Sequence, residues 1–259
     1  MKAVKKYFYC LIIISLVTTA CKKDIPEPLD PNGNDSISNI ISHYFTLSNP
    51  EGRLPNGDSI RWETKRWRDT VNIFLDSTVG PAHKAVLSEM IELVERNIQG
   101  SGVKFLFVND TNDLSIGIVN GSQEYLYKRF NLGEPPEVPD SWWGACNKSS
   151  YCTSISKSFI WYESGSDDIL RHEFGHALGL GHASGYPSLM WRNVGSFLST
   201  NELSKIDLSV LRLIYYDGAL GTVAPEYLDS CTEDNLFMYP SEEDNFKIFL
   251  EDIIRNNYQ

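Results

Sequence analysis

The chain has 259 residues, 42% hydrophobic and 22% charged, with a formal net charge of -11. That profile is of a soluble globular protein, long enough for one large domain or two small ones. The acidic excess excludes a nucleic-acid binder, which needs a basic surface against phosphates, and no stretch reaches the roughly 20 apolar residues that span a bilayer.

The amino terminus has the make-up of an address. Lys2, Lys5 and Lys6 precede an apolar run over residues 7–17, the pattern of a secretory signal. Thr19-Ala20-Cys21 follows and resembles the lipobox of bacterial lipoproteins. The resemblance implies a signal peptide over 1–20 and lipid on the Cys21 sulfur. Residues 21–36 are rich in Pro, Asp, Asn and Gly and are expected to be a flexible tether. The run Lys22-Lys23-Asp24 is similar to the start of exported Bacteroidetes lipoproteins. The expected location is therefore the bacterial cell envelope, on the outer membrane or cell surface, anchored at Cys21. Of five cysteines, Cys146, Cys152 and Cys231 remain after Cys10 and Cys21 are set aside. An envelope location permits disulfides. Cys146 with Cys152 would close a short loop, but spacing leaves the pairing open.

Residues 37–66 are mixed in character. Residues 70–75 (TVNIFL) are rich in β-branched and aromatic side chains, which predicts a strand. Gly80-Pro81 punctuates, and Ala82, Val86, Met90, Val94 and Ile98 then recur every fourth residue. This stripe predicts a helix with a buried face, stopped by Gly100 and Gly102. Residues 103–108 and 114–119 are two further predicted strands. Residues 120–141 contain Gly133, Pro135, Pro136 and Pro139 and are expected to be a long surface loop. Residues 154–162 form another predicted strand. Ser164, Ser166, Asp167 and Asp168 supply a cap and acidic first turn for a second helix. The order of strands and helices is that of an α+β domain. Residues 217–259 hold ten acidic and two basic residues. Phe246, Ile248, Phe249, Ile253 and Ile254 suggest a short terminal helix there, so this extension is expected to pack on the domain.

Three of the five histidines fall in the stretch from His172 to His182. His172 and His176 are one helical turn apart and leave the same face. That spacing suits two ligands of one tetrahedral Zn²⁺. Glu173 follows the first of them. Gly179 can adopt the positive φ that ends a helix sharply, which lets His182 return to the same metal. Three protein ligands leave one position open, the mark of a catalytic zinc site.

The pattern His172-Glu173-x-x-His176-x-x-Gly179-x-x-His182 resembles the metzincin zinc endopeptidases. Ser188-Leu189-Met190-Trp191 follows at the distance of the methionine turn in matrixin-type members. The resemblance implies a twisted mixed sheet with an active-site helix, a backing helix and a C-terminal helix, over residues 37–216. It makes Met190 the hydrophobic floor beneath the metal. It makes Glu173 the general base of peptide-bond hydrolysis, with one catalytic zinc. Ala183 departs from the Ser usual in matrixins. Arg192 stands where other subfamilies place a metal-binding Tyr, so that fifth ligand is expected to be absent. With only His43 and His83 left over, the structural zinc of matrixins is expected to be absent too. Structural calcium stays unknown. The segment 198–216 is similar to the matrixin terminal helix. Residues 142–147 are the expected edge strand for an extended substrate, and residues 192–200 the expected wall of the pocket beyond the cut bond. The expected partners are a protein or peptide substrate and a membrane, with no nucleic acid and a monomeric chain. The alternative is a surface lipoprotein that binds protein or glycan on a metzincin scaffold without turnover.

Overall fold

The computed structural model describes residues 40, 60–61, 65–138, 142–151, 154–163, 166–183, 186–196, 198–215, 237–238 and 251. The expected signal peptide, Cys21, the tether, His43, Cys152, Cys231 and nearly all of the expected terminal helix lie outside these residues.

In chain order the elements are β1 (Ile60–Arg61), β2 (Val71–Leu75), α1 (Pro81–Asn97), β3 (Phe105–Val108), β4 (Ile116–Asn120) and α2 (Gln123–Phe130). They continue with β5 (Gly144–Tyr151), β6 (Ser154–Tyr162), α3 (Asp167–Ala177), α4 (Lys205–Ile214) and β7 (Phe237–Met238). Five strands form one mixed sheet in the order β3-β2-β4-β6-β5. β2 is parallel to β3 and β4, β4 is parallel to β6, and β5 runs antiparallel to β6 along one edge. The short strands β1 and β7 pair antiparallel.

The central strands are apolar because both faces of the sheet are covered. Ile116, Gly117, Ile118 and Val119 of β4 are all buried. One face carries the larger core, where Ile73, Ile116, Ile118 and Ile160 meet Leu87, Val94, Phe174 and Leu211 from α1, α3 and α4. The other face carries a smaller cluster of Phe74, Val119, Phe159 and Trp161 around Leu126 of α2.

α2 corrects the expectation of a continuous loop over 120–141. Ser122 caps it by accepting from the Tyr125 amide, Leu126 is fully buried, and Asn131 closes it at φ 53°. Only the Gly- and Pro-rich stretch after it is irregular. The fourfold stripe on α1 is also corrected. Ala82 is exposed and Val86 half-buried, while Leu87, Met90, Ile91 and Val94 are buried. A repeat of four advances about 40° per step on a 3.6-residue helix, so the stripe drifts off the core. α4 begins at Lys205 and not near 198, because Ser204 and Asp207 form a capping box at its start. The edge strand starts at Gly144, two residues later than expected, and runs to Tyr151; Trp142 and Trp143 stand exposed ahead of it. Cys146 is a free thiol against the Ser158 hydroxyl at 3.1 Å; its candidate partner Cys152 lies outside the described residues.

A buried carboxylate ties the end of β2 to α2. Asp76 accepts from Arg129 Nε at 2.6 Å, from the Tyr125 hydroxyl at 3.0 Å and from the Thr78 amide at 3.1 Å. Burial pushes its carboxyl upward, but the Arg129 guanidinium and the other donors outweigh it and hold the value at about 2. A depressed carboxyl stabilises the fold above its unfolded value near 3.8 and loses that contribution as pH falls through about 2. Asp76→Asn is expected to cost about 2 kcal/mol at neutral pH and to flatten the stability loss on acidification, read by denaturant midpoints across that window.

Candidate metal centre

Helix α3 starts where its sequence says it should. The Ser166 hydroxyl accepts from the Ile169 amide, and Asp167 and Asp168 occupy the first turn. Its last turn closes with the Gly179 amide on the His176 carbonyl and the Leu180 amide on the Gly175 carbonyl. That pair of bonds needs a left-handed residue, and Gly179 supplies it at φ 104°. A Cβ there would also meet the Lys65 carbonyl oxygen at 2.1 Å. The chain then reverses and carries His182 back toward the helix.

The three histidines converge. One ligand nitrogen from each of His172, His176 and His182 lies within 4.8 Å of the others. The His176 ring is perpendicular to both of its neighbours, with centroids 4.7 Å away in each case. Backbone carbonyls fix two of the rings. His172 Nδ1 donates to the Leu189 carbonyl and His176 Nδ1 to the Leu180 carbonyl, both at 2.8 Å, in the tautomer that makes these bonds. Each ring then presents Nε2, which is the arrangement a metal ligand needs. Burial lowers the basicity of all three: His172 below its ordinary value, His176 well below, and His182 to about 4. Neutral imidazoles are the ligating form. The donor set and its geometry fit a zinc ion.

The floor of the site is Met190, fully buried. Its sulfur lies so close to Gly175 that a Cβ on that residue would sit 2.3 Å from Sδ. Gly175 was legible only as a variable position inside the motif; the close approach of Met190 explains it. The turn carrying Met190 is held by Asp207, which is fully buried at the start of α4. The Asp207 carboxylate accepts from the Ser188 hydroxyl at 2.6 Å, the Leu189 amide at 3.2 Å and the Ser204 amide at 2.9 Å. Leu189 thus receives Asp207 on its amide and gives its carbonyl to His172. The capping-box spacing from Ser204 to Asp207 is the sequence signal that finds this residue.

Glu173 is 7% exposed, on α3 beside the triad. Burial pushes its carboxyl up to about 8, with the Lys148 ammonium pulling the other way. Gly144 of β5 lets the strand approach: a Cβ there would meet Ile169 at 2.6 Å and Glu173 Cγ at 3.3 Å. β5 is the edge of the sheet, so its outer side can pair with an extended peptide. Among the other expected residues, Arg192 is exposed but close enough to lower His182. His83 is not part of the centre. Its Nδ1 is 2.8 Å from the Tyr162 hydroxyl and its Nε2 3.6 Å from Asp167.

The profile of the matrixin family matches residues 27–216. A search of curated proteins finds no match. Among solved structures, high choriolytic enzyme 1, a hatching-enzyme zinc-protease of the medaka fish Oryzias latipes, is similar over 58% of this chain and 94% of that chain. The two share 13% identity at a TM-score of 0.35.

The path from Asp207 through Leu189 to His172 yields a test. Asp207→Asn keeps the shape but weakens the bonds that place the Leu189 carbonyl. Zinc affinity is expected to fall about ten- to a hundredfold, as for other partners that orient ligands, measured by competition with a chromophoric chelator.

Proposed function

We propose that this chain, which belongs to the matrixin family and is a zinc metalloendopeptidase, cleaves peptide bonds with Glu173 as general base and with His172, His176 and His182 as the metal ligands. The observation that carries this reading is the convergence of three imidazoles, His172 buried and His176 and His182 half-buried, each with its proton affinity lowered by burial, on one side of a helix that also bears Glu173. Zinc, when bound there, supplies a Lewis acid that polarises a carbonyl and acidifies water.

The protein's own groups do the rest. Glu173 is little exposed, and burial raises its proton affinity above that of an ordinary carboxylate, which makes it a stronger base. It takes a proton from the attacking water and returns it to the leaving amine nitrogen. The carbonyls of Leu189 and Leu180 keep the His172 and His176 rings from rotating. Met190 closes the space beneath them. The free side of β5 aligns the substrate main chain, and Gly144 keeps the strand near Glu173. Residues 192–200 form a wall of the pocket past the cut bond.

We further propose a lipid anchor at Cys21 in the bacterial envelope, on the strength of Thr19-Ala20-Cys21 following an apolar run. Cys21→Ser is expected to abolish incorporation of labelled palmitate; retained incorporation overturns the anchor.

Glu173→Ala is expected to keep stoichiometric zinc and to lose about 10²- to 10⁴-fold or more of its cleavage of denatured casein. Chelation is expected to abolish wild-type cleavage, and zinc to restore it. Undiminished proteolysis in Glu173→Ala would remove Glu173 from this role. Zinc binding by the wild type without any cleavage would favour the non-catalytic surface lipoprotein.

A further inference from the structure

β5 presents alternate residues to opposite faces of the sheet. Ala145 packs against the smaller core, and Asn147 reaches the Tyr127 hydroxyl of α2 at 3.2 Å. Gly144 and Cys146 face the other way, toward α3 and the larger core. The register with β6 is regular from Gly144↔Tyr162 to Lys148↔Ser158. Lys148 therefore shares the face of Gly144 and Cys146, on the side where the histidines sit.

The electrostatics agree with that placement. The Lys148 charge acts on Glu173, His176 and His182, and Lys65 repels it in turn. The side chain is partly covered, and burial lowers its proton affinity. Among the described residues no side chain or carbonyl forms a hydrogen bond or ion pair with it. An ammonium taken out of water without a partner is costly. The one described carboxylate acting on it is Glu173, which the reaction requires for its proton.

We propose that Lys148 is a specificity residue whose ammonium receives an acidic side chain of the substrate, about three to four residues from the cut bond, on the scale of strand spacing. This deepens the endopeptidase reading and rests on it. Glu173 lies beside Gly144, and Lys148 is four residues, about 13 Å, further along the strand. Across that distance its charge still acts on Glu173, His176 and His182. An extended peptide on the free side of β5 carries its side chains at the same spacing, so one of them comes within reach of the ammonium. A carboxylate there pairs with the ammonium and leaves Glu173 free.

The test uses the zinc-loaded full chain and matched peptides that differ only by Asp against Asn, or Glu against Gln, at each position around one cut bond. At one position the acidic peptide is expected to have a kcat/KM about tenfold higher, the scale of one charge-assisted bond, with most of the change in KM. Lys148→Met should bring that ratio to about one, Lys148→Arg should keep it, and Lys148→Glu should invert it. Binding of the same peptides to Glu173→Ala, followed by fluorescence anisotropy, should show the same order. Cleavage with no acidic preference at any position, or a preference that survives Lys148→Met, overturns the role of Lys148 alone. Selective binding of acidic peptides without cleavage by the wild type overturns the endopeptidase reading and leaves Lys148 in place.

Discussion

Everything in the centre depends on keeping three imidazoles neutral, close together and unable to turn. Packing alone would leave each ring free to rotate about its own axis. Here main-chain carbonyls supply the missing restraint: Leu180 for His176 and Leu189 for His172. The Leu180 carbonyl lies just past the end of α3 and the Leu189 carbonyl in the turn that carries Met190, so the loops are as much part of the site as the helix. Gly179 is what allows that return. Its positive φ and its approach to the Lys65 carbonyl leave no room for a side chain. A helix that continued straight past Ala177 would carry His182 away from the other two rings.

The second constraint is mechanical. The turn at 188–190 is fastened to α4 by a single buried carboxylate, Asp207, which also caps its own helix. Three functions meet in one side chain: ending the fray of α4, closing the turn, and setting the carbonyl that His172 needs. The family match ends at residue 216, just past the end of this helix. α4 is thus joined to His172 through two hydrogen-bonded steps.

Much of this was legible in the sequence, and the reasons for the rest are physical. The histidine spacing, the caps at Ser166 and Gly179, and the strands of the sheet are local properties, written in periods of two and four residues. α2 was hidden because the Gly- and Pro-rich stretch after it dominated the segment, although Ser122 and Leu126 carried the signal. The α1 stripe misled because a repeat of four is close to a helical period without matching it. Gly175, Lys148 and the partner of Asp207 are different in kind. Gly175 is explained only by a methionine fifteen residues away. Lys148 acquires its surroundings only when β5 is laid against β6 over α3. No pattern within either segment announces such meetings, because they are made by tertiary packing.

The contact between Gly175 and Met190 carries a consequence for oxidative chemistry. A thioether that gains an oxygen becomes polar and larger. Met190 is fully buried and its sulfur lies close against Gly175, so an added oxygen would press on the packed backbone. Conversion to the sulfoxide would require the turn to swing away first. Peroxide sensitivity at this position would therefore follow how often the turn opens, with the closed floor protecting its own sulfur.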